Sequence, residues 1–277
     1  MNINNVKETA LNSLRTLVLL ILLIFFMFPI IWVLLTSLKL PIEQLSIPPV
    51  WIPKSFNIKN YIDLFNNPVF FKNSMNSFLM ASGATILTVI IGSFATYSIE
   101  RFKVGGSFFP TMILITRMIP PVVIIVPIFL LAHSAHLLDS YFLLIITYSA
   151  LNIALVIWLL KDSFNKMPIE IEEAAMIDGC SRLQILTRIV FPIIKPGLIA
   201  TSLICFIFCW NEFIFALTLT GERTRTLPVL ISTFVSQKGI DRGIMAAGGI
   251  IASIPIIIIA IFFNRYLIGG LTKGRGK

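Results

Sequence analysis

Apolar runs at 16–35, 78–99, 108–132, 141–160, 198–219 and 244–263 limit this chain to very few folds. Each is close to the about 20 residues needed to cross a hydrocarbon core at roughly 1.5 Å per residue. The runs are continuous and lack the period-two alternation of a lipid-facing barrel strand, so they read as helices. Hydrophobic residues make up 57% of the chain and charged residues only 13%, with a mean hydropathy of +0.92. Such a composition takes the bilayer as its solvent. The expected fold class is all-α: one polytopic membrane domain over 1–277, with six transmembrane helices and outer loops at 36–77 and 220–243. Lys7 and Arg15 precede the first run. That run is too long for the apolar region of a signal peptide, and no small-residue cleavage site follows it, so a retained helix is expected.

The formal net charge is +9, but the basic residues are spread over loops and ends instead of forming one aromatic-interleaved patch. Their distribution gives orientation, not nucleic-acid binding. Placing both termini in the cytoplasm puts the larger share of the 22 Lys and Arg residues inside. Cys205 and Cys209 stand four apart in the fifth run with no His or acidic residue at ligand spacing, so both are expected to be small buried residues. His133 and His136 have only Asp139 beside them. The segment reads as an interfacial turn, and no metal site is expected.

The polar interruption at 161–196 holds Asp162, Glu170, Glu172, Glu173 and Asp178 and does not belong in lipid. Pro168 suits a first helical turn, and the glutamates that follow suit the positive end of a helix dipole. Gly179 can end that helix in a left-handed conformation. Ser181-Arg182-Leu183-Gln184 then reads as a capping box that starts a second helix in a new direction. Pro192 and Pro196 are expected to break this second helix before the fifth span. The two helices form a knuckle whose surface includes Ala174 and Ala175. Its acidic first helix argues against a membrane-surface helix, which is basic on its polar face.

Two spans carry charge. Arg117 lies about nine residues into the third run, roughly 13 Å deep at the rise of a helix, and Asn211 and Glu212 lie inside the fifth. Intramembrane charge faces protein or a water path. Two readings of these three residues stand: helix or subunit packing, with an Arg117–Glu212 contact, and the lining of a translocation path. Pro120, Pro121 and Pro127 suit either a cavity-lining helix or a packing kink. The sequence contains no Gly-x-x-x-x-Gly-Lys-Ser/Thr phosphate loop and no nucleophile, base and oxyanion set. No catalytic residue and no bound cofactor are expected.

Glu173-Ala174-Ala175, three residues, Gly179, nine residues and Ile189-Val190-Phe191-Pro192 resemble the EAA loop of ABC importer permeases, with Phe191 where the pattern has Leu. Thr116 to Pro121, Leu137-Leu138-Asp139-Ser140, Trp210-Asn211-Glu212-Phe213, Thr226-Leu227-Pro228-Val229 and the ending Gly269 to Gly274 resemble the carbohydrate-uptake permeases of the maltose type. Together they point to the smaller, six-helix subunit. The resemblance implies that Glu173, Ala174, Ala175, Gly179, Ile189 and Pro192 form a coupling helix seated on a nucleotide-binding subunit. It also implies a second permease as heterodimer partner, two ATPase subunits carrying ATP and Mg, and an extracytoplasmic solute-binding protein. That protein would be met by outer-loop residues such as Arg223, Thr224, Arg225 and Thr226. The expected solute is a sugar, sugar oligomer or polyol, imported across the cytoplasmic membrane by alternating access. The alternative from another class is a gradient-driven secondary carrier, which would show internal repeats and broken helices at ion sites.

Overall fold

The computed structural model describes residues 3–106, 108–236 and 239–272. Helices follow in the order α1 (Ile3–Ser37), α2 (Pro41–Gln44), α3 (Lys59–Phe65), α4 (Phe70–Phe102), α5 (Phe109–Ile115), α6 (Pro121–Ser134), α7 (Tyr141–Asn165), α8 (Glu170–Ile177), α9 (Arg182–Ile185), α10 (Phe191–Trp210), α11 (Ile214–Leu219), α12 (Leu227–Ser232) and α13 (Arg242–Thr272). Between α12 and α13, Val235–Ser236 and Gly239–Ile240 pair antiparallel as β1 and β2. Apart from this ladder, the described fold is all-α. Among the described residues five helices are long and apolar enough to cross a membrane, or six if the bent pair α5 and α6 is counted as one span. Lys238 and residues 273–277, which the sequence reading used for orientation and for the ending motif, lie outside the described residues.

The apolar patterning reads as one domain over 1–277, whereas packing gathers the chain into two compact units. The first comprises the described residues of 3–68 and 231–253. In it the outer end of α1 is tied to the loop that follows. Ser37 Oγ lies 2.7 Å from the Tyr61 hydroxyl, Asn60 Nδ2 donates to the Ser37 carbonyl, and Glu43 accepts from the Leu40 and Lys54 N–H groups. Phe28, Trp32 and Trp51 cluster beside this knot, and Lys39 lies 4.1 Å from the Trp32 ring centre. The loop expected at 36–77 is therefore shorter and partly helical, because α2 and α3 form within it and α4 starts at Phe70.

The second unit comprises the described residues of 69–230 and 254–272, and its core is α4, α7 and α10. Along α4, Ala84, Thr88, Gly92 and Thr96 recur every fourth residue on one buried face. Small residues let helix backbones approach in a membrane, where lipid tails offer no hydrophobic drive for helix pairing. Ser149 Oγ of α7 reaches the Ala84 carbonyl at 3.2 Å, and a Cβ on Gly92 would stand 2.6 Å from Val156 Cγ1. The threonines on this face return their hydroxyls to carbonyls four residues back, which keeps polar side chains satisfied without water. Cys205 and Cys209 are buried in the same core.

Two expected boundaries are corrected, and the prolines of the third span bend it: α5 and a 3₁₀ turn at Thr116–Met118 meet α6 at 88°, because Ile119 is extended before Pro120 and α6 restarts on Pro121. The fifth span does not run unbroken over 198–219. It ends at Trp210 and resumes as α11 at Ile214. Pro192 and Pro196 do not break the preceding helix, since Arg182–Trp210 is one continuous helical stretch. A π turn at Leu186–Val190 widens the helix just before Pro192, where the ring would otherwise meet the carbonyl four residues back.

Candidate functional site

The knuckle forms at the end of the core where α4 and α7 finish and the helix leading into α10 begins. Its first helix, α8, carries Glu170, Glu172 and Glu173 in its first turn, with Pro168 just ahead of the N-cap Ile169. Gly179 adopts φ +82°, the left-handed conformation that a Cβ disfavours, although an added Cβ would meet no residue beyond its chain neighbours within 4 Å. Around it, the Gly179 N–H donates to the Met176 carbonyl and the Cys180 N–H to the Ala175 carbonyl, both at 3.1 Å or less. That pair of bonds is a Schellman termination. The next helix starts immediately on the Ser181 capping box. The Ser181 N–H donates to Gln184 Oε1 at 2.8 Å, and the Gln184 N–H donates to Ser181 Oγ. Removing the hydroxyl with Ser181→Ala is expected to weaken this start by about 1 kcal/mol, read as faster hydrogen exchange at the Gln184 amide.

Glu173, Ala174 and Gly179 face outward. Ala175 does not share that surface; it is buried on the inner side of α8, so the small-residue patch is Ala174 alone. Ile189 is half-buried and Pro192 exposed. The outward face also presents Ile177 and Leu183, 86% and 60% exposed, which are large apolar groups on a solvated projection. Sequence reasoning missed the residue that holds the knuckle in place. Glu172 is only 2% exposed, and it points back into the bundle. The Tyr97 hydroxyl donates to its Oε2 at 3.0 Å, and Arg101 Nε donates to its Oε1. Arg101 Nη2 also donates to the Phe164 and Met167 carbonyls at 3.1 Å, closing the end of α7. No local pattern distinguishes Glu172 from its neighbours, because its partners lie more than 70 residues away in sequence.

A second site lies within the bundle. The bend between α5 and α6 and the break after α10 border a cavity of about 400 Å³, lined by Thr116, Arg117, Thr147, Asn152, Phe208 and Glu212 among others. Arg117 and Glu212 share this cavity, yet among the described residues they form no ion pair. Both Glu212 oxygens are spent instead on the N–H groups of Phe215 and Ala216, at 3.0 and 3.1 Å, which start α11. Asn211 Nδ2 donates to the Ile207 carbonyl and closes α10. Arg117 is exposed and packs over the Phe208 ring, 5.3 Å from its centre.

At the opposite end of the core, one carboxylate organises the loop after α11. Asp139 Oδ1 accepts from the Gly221 and Thr224 N–H groups and the Thr224 hydroxyl, while Oδ2 accepts from the Arg223 N–H, all between 2.6 and 3.1 Å. Burial acts to raise the carboxyl pKa. The Thr224 hydroxyl and the three N–H groups outweigh it and hold Asp139 below its ordinary value. Asn76 Nδ2 donates to the Arg223 and Arg225 carbonyls. Of the four residues expected at a docking surface, Thr224 and Thr226 are buried, Arg225 is half-buried and Arg223 is exposed.

The family described as binding-protein-dependent transport system inner membrane component matches residues 88–273. The trehalose/maltose transport system permease protein MalG of Thermococcus litoralis is 34% identical over 256 residues, covering 91% of each chain. The sulfoquinovosyl glycerol transport system permease protein SmoH of Agrobacterium fabrum is 31% identical over 250 residues, covering 90% of this chain and 88% of its own. The fold is shared with a chain of a bacterial ABC transporter involved in the import of the acidic polysaccharide alginate. The TM-score is 0.78 at 22% identity, over 94% of this chain and 97% of that one. With two thirds of its length matched by the family and relatives aligned over about nine tenths of it, this chain belongs to the inner-membrane permeases of binding-protein-dependent ABC transport systems.

Proposed function

We propose that this chain is the smaller permease of an ATP-driven sugar importer and that it turns nucleotide-driven motion into alternating access. The observation that carries the reading is the knuckle: an acidic, apolar-tipped projection held to the ends of two spans, in a chain of this family. Glu173, Ala174, Ile177 and Leu183 form the docking face. Gly179 sets the turn beside that face, and Ala175, Ile189 and Pro192 shape the helices that carry it. The partner is an ATPase subunit, which binds ATP and Mg, hydrolyses the nucleotide and is present in two copies. This chain is non-catalytic. Both of its ends lie in the cytoplasm, and a second permease completes the path across the cytoplasmic membrane. The cavity around Arg117, Asn152 and Glu212 belongs to that path, and Asn211 serves it by closing α10 next to Glu212. The solute-binding protein meets the loop at 221–226 through Arg223 and Arg225, with Thr224 and Thr226 as its buried supports. The sugar class rests on relatives whose names specify trehalose/maltose and sulfoquinovosyl glycerol transport. Family membership sets aside the gradient-driven carrier.

The test is co-purification from the native membrane in mild detergent, with an ATPase assay, comparing wild type with Gly179→Pro. Proline holds φ near about −65° and is incompatible with the +82° of this position. A second permease and an ATPase are expected with the wild type, and loss of the ATPase alone from the equally inserted variant. Recovery of the wild-type chain by itself would overturn the reading.

A further inference from the structure

Glu172 sits on the knuckle's first helix but belongs structurally to the bundle. Its carboxylate is almost wholly buried, and each oxygen has its own donor: Tyr97 on α4 and Arg101 at the last turn of α4. Arg101 extends the set to the end of α7 through the Phe164 and Met167 carbonyls, where a cation also suits the negative helix terminus. One guanidinium therefore joins α4, α7 and α8. Arg182, at the start of the knuckle's second helix, lies 5.2 Å from the ring centre of Phe102 and adds a tie to the same end of α4. A buried ion pair contributes little net stability compared with an apolar pair of the same volume, because desolvation offsets its attraction. What it does fix is geometry, since a planar guanidinium with three acceptors allows few arrangements.

We propose that Tyr97, Arg101 and Glu172 are positioning residues of transport: they lock the coupling helix to the ends of α4 and α7, so that the knuckle and both spans move as one body. The inference rests on the importer reading above. It adds that docking and force transfer are separate tasks, carried by opposite faces of α8. Glu173 and Ala174 on the outer face hold the ATPase, whereas Glu172 on the inner face passes its displacement to the spans. A loosened lock leaves a knuckle that still seats its partner but swings without moving the bundle.

The experiment uses the complete importer in proteoliposomes, with its second permease, ATPases and loaded solute-binding protein. It measures ATPase recovery, hydrolysis and solute moved per ATP. Tyr97→Phe removes only a hydroxyl, and Arg101→Lys keeps the charge while losing the fork. Both are expected to retain the ATPase and its basal hydrolysis, while solute moved per ATP falls by about tenfold, the scale of one lost hydrogen bond to a charged group. The charge-swapped double variant Arg101→Glu with Glu172→Arg should recover part of the loss seen in Glu172→Arg alone. Wild-type transport per ATP in both Tyr97→Phe and Arg101→Lys would overturn the lock. So would loss of the ATPase from them, since the inner face would then be part of docking. If even the wild-type chain recruits no ATPase, the importer reading itself fails, and the lock fails with it.

Discussion

Gly92→Leu is expected to prevent most of the chain from reaching its folded state. A Cβ at Gly92 would already stand 2.6 Å from Val156 Cγ1 and 3.3 Å from its Cβ, and Val156 is fully buried and cannot turn away into solvent. Overpacking a closed core costs about 1–3 kcal/mol for small additions, and a leucine here must separate α4 from α7 along the whole seam. The same separation would strand the Ser149 hydroxyl that reaches the Ala84 carbonyl across the helix pair. Size-exclusion chromatography and thermal unfolding in detergent would report the loss. The reason can be isolated with smaller steps. Gly92→Ala alone should destabilise, and Val156→Ala alone should leave a void. The double variant should recover stability, with a coupling of about 1–2 kcal/mol. Additive losses in that cycle would mean that the two helices do not meet at this contact.

The features legible in the sequence were those whose causes are local. Ser181 and Gln184 cap each other within a single turn, and Gly179 takes a conformation that needs no distant partner, so both appear in the structure as the residues suggest. The apolar runs likewise marked the spans, because lipid solvation acts residue by residue. Hydropathy missed the break after Trp210. A run counts Asn211 and Glu212 as two polar interruptions and does not see that one closes a helix and the other starts the next. It also missed the continuity through Pro192, which depends on a π turn beginning six residues earlier. The inward turn of Glu172 was hidden for a different reason. Adjacent residues on a helix point about 100° apart, so Glu172 and Glu173 present different faces, and only the positions of Tyr97 and Arg101 decide which of them turns inward. A similar contingency buries Thr224: its tether, Asp139, lies 85 residues away in sequence.

That tether leads to the second large effect, Asp139→Ala, which should release the loop at 221–226. The substitution removes the acceptor of the Gly221, Arg223 and Thr224 N–H groups and of the Thr224 hydroxyl, and Thr224 is fully buried. Each buried donor left unsatisfied costs about 1–3 kcal/mol. A combined loss of about 3 kcal/mol raises the opening equilibrium of the loop roughly 100-fold. Hydrogen exchange at the Thr224 amide is the direct measurement, and unchanged protection would show that the Asn76 bonds hold the loop alone. The pH dependence has a definite sign. Since the folded carboxyl is held below its ordinary value of 3.8, its contribution is complete above that value and is lost as pH falls through the lower folded pKa. Protection of the wild-type loop should therefore decline only in acid, below the range where free aspartates protonate. Asp139→Asn should abolish that acid step while keeping part of the protection, because an amide oxygen still accepts where the carboxylate Oδ1 did. An acid transition that survived in Asp139→Asn would belong to another group.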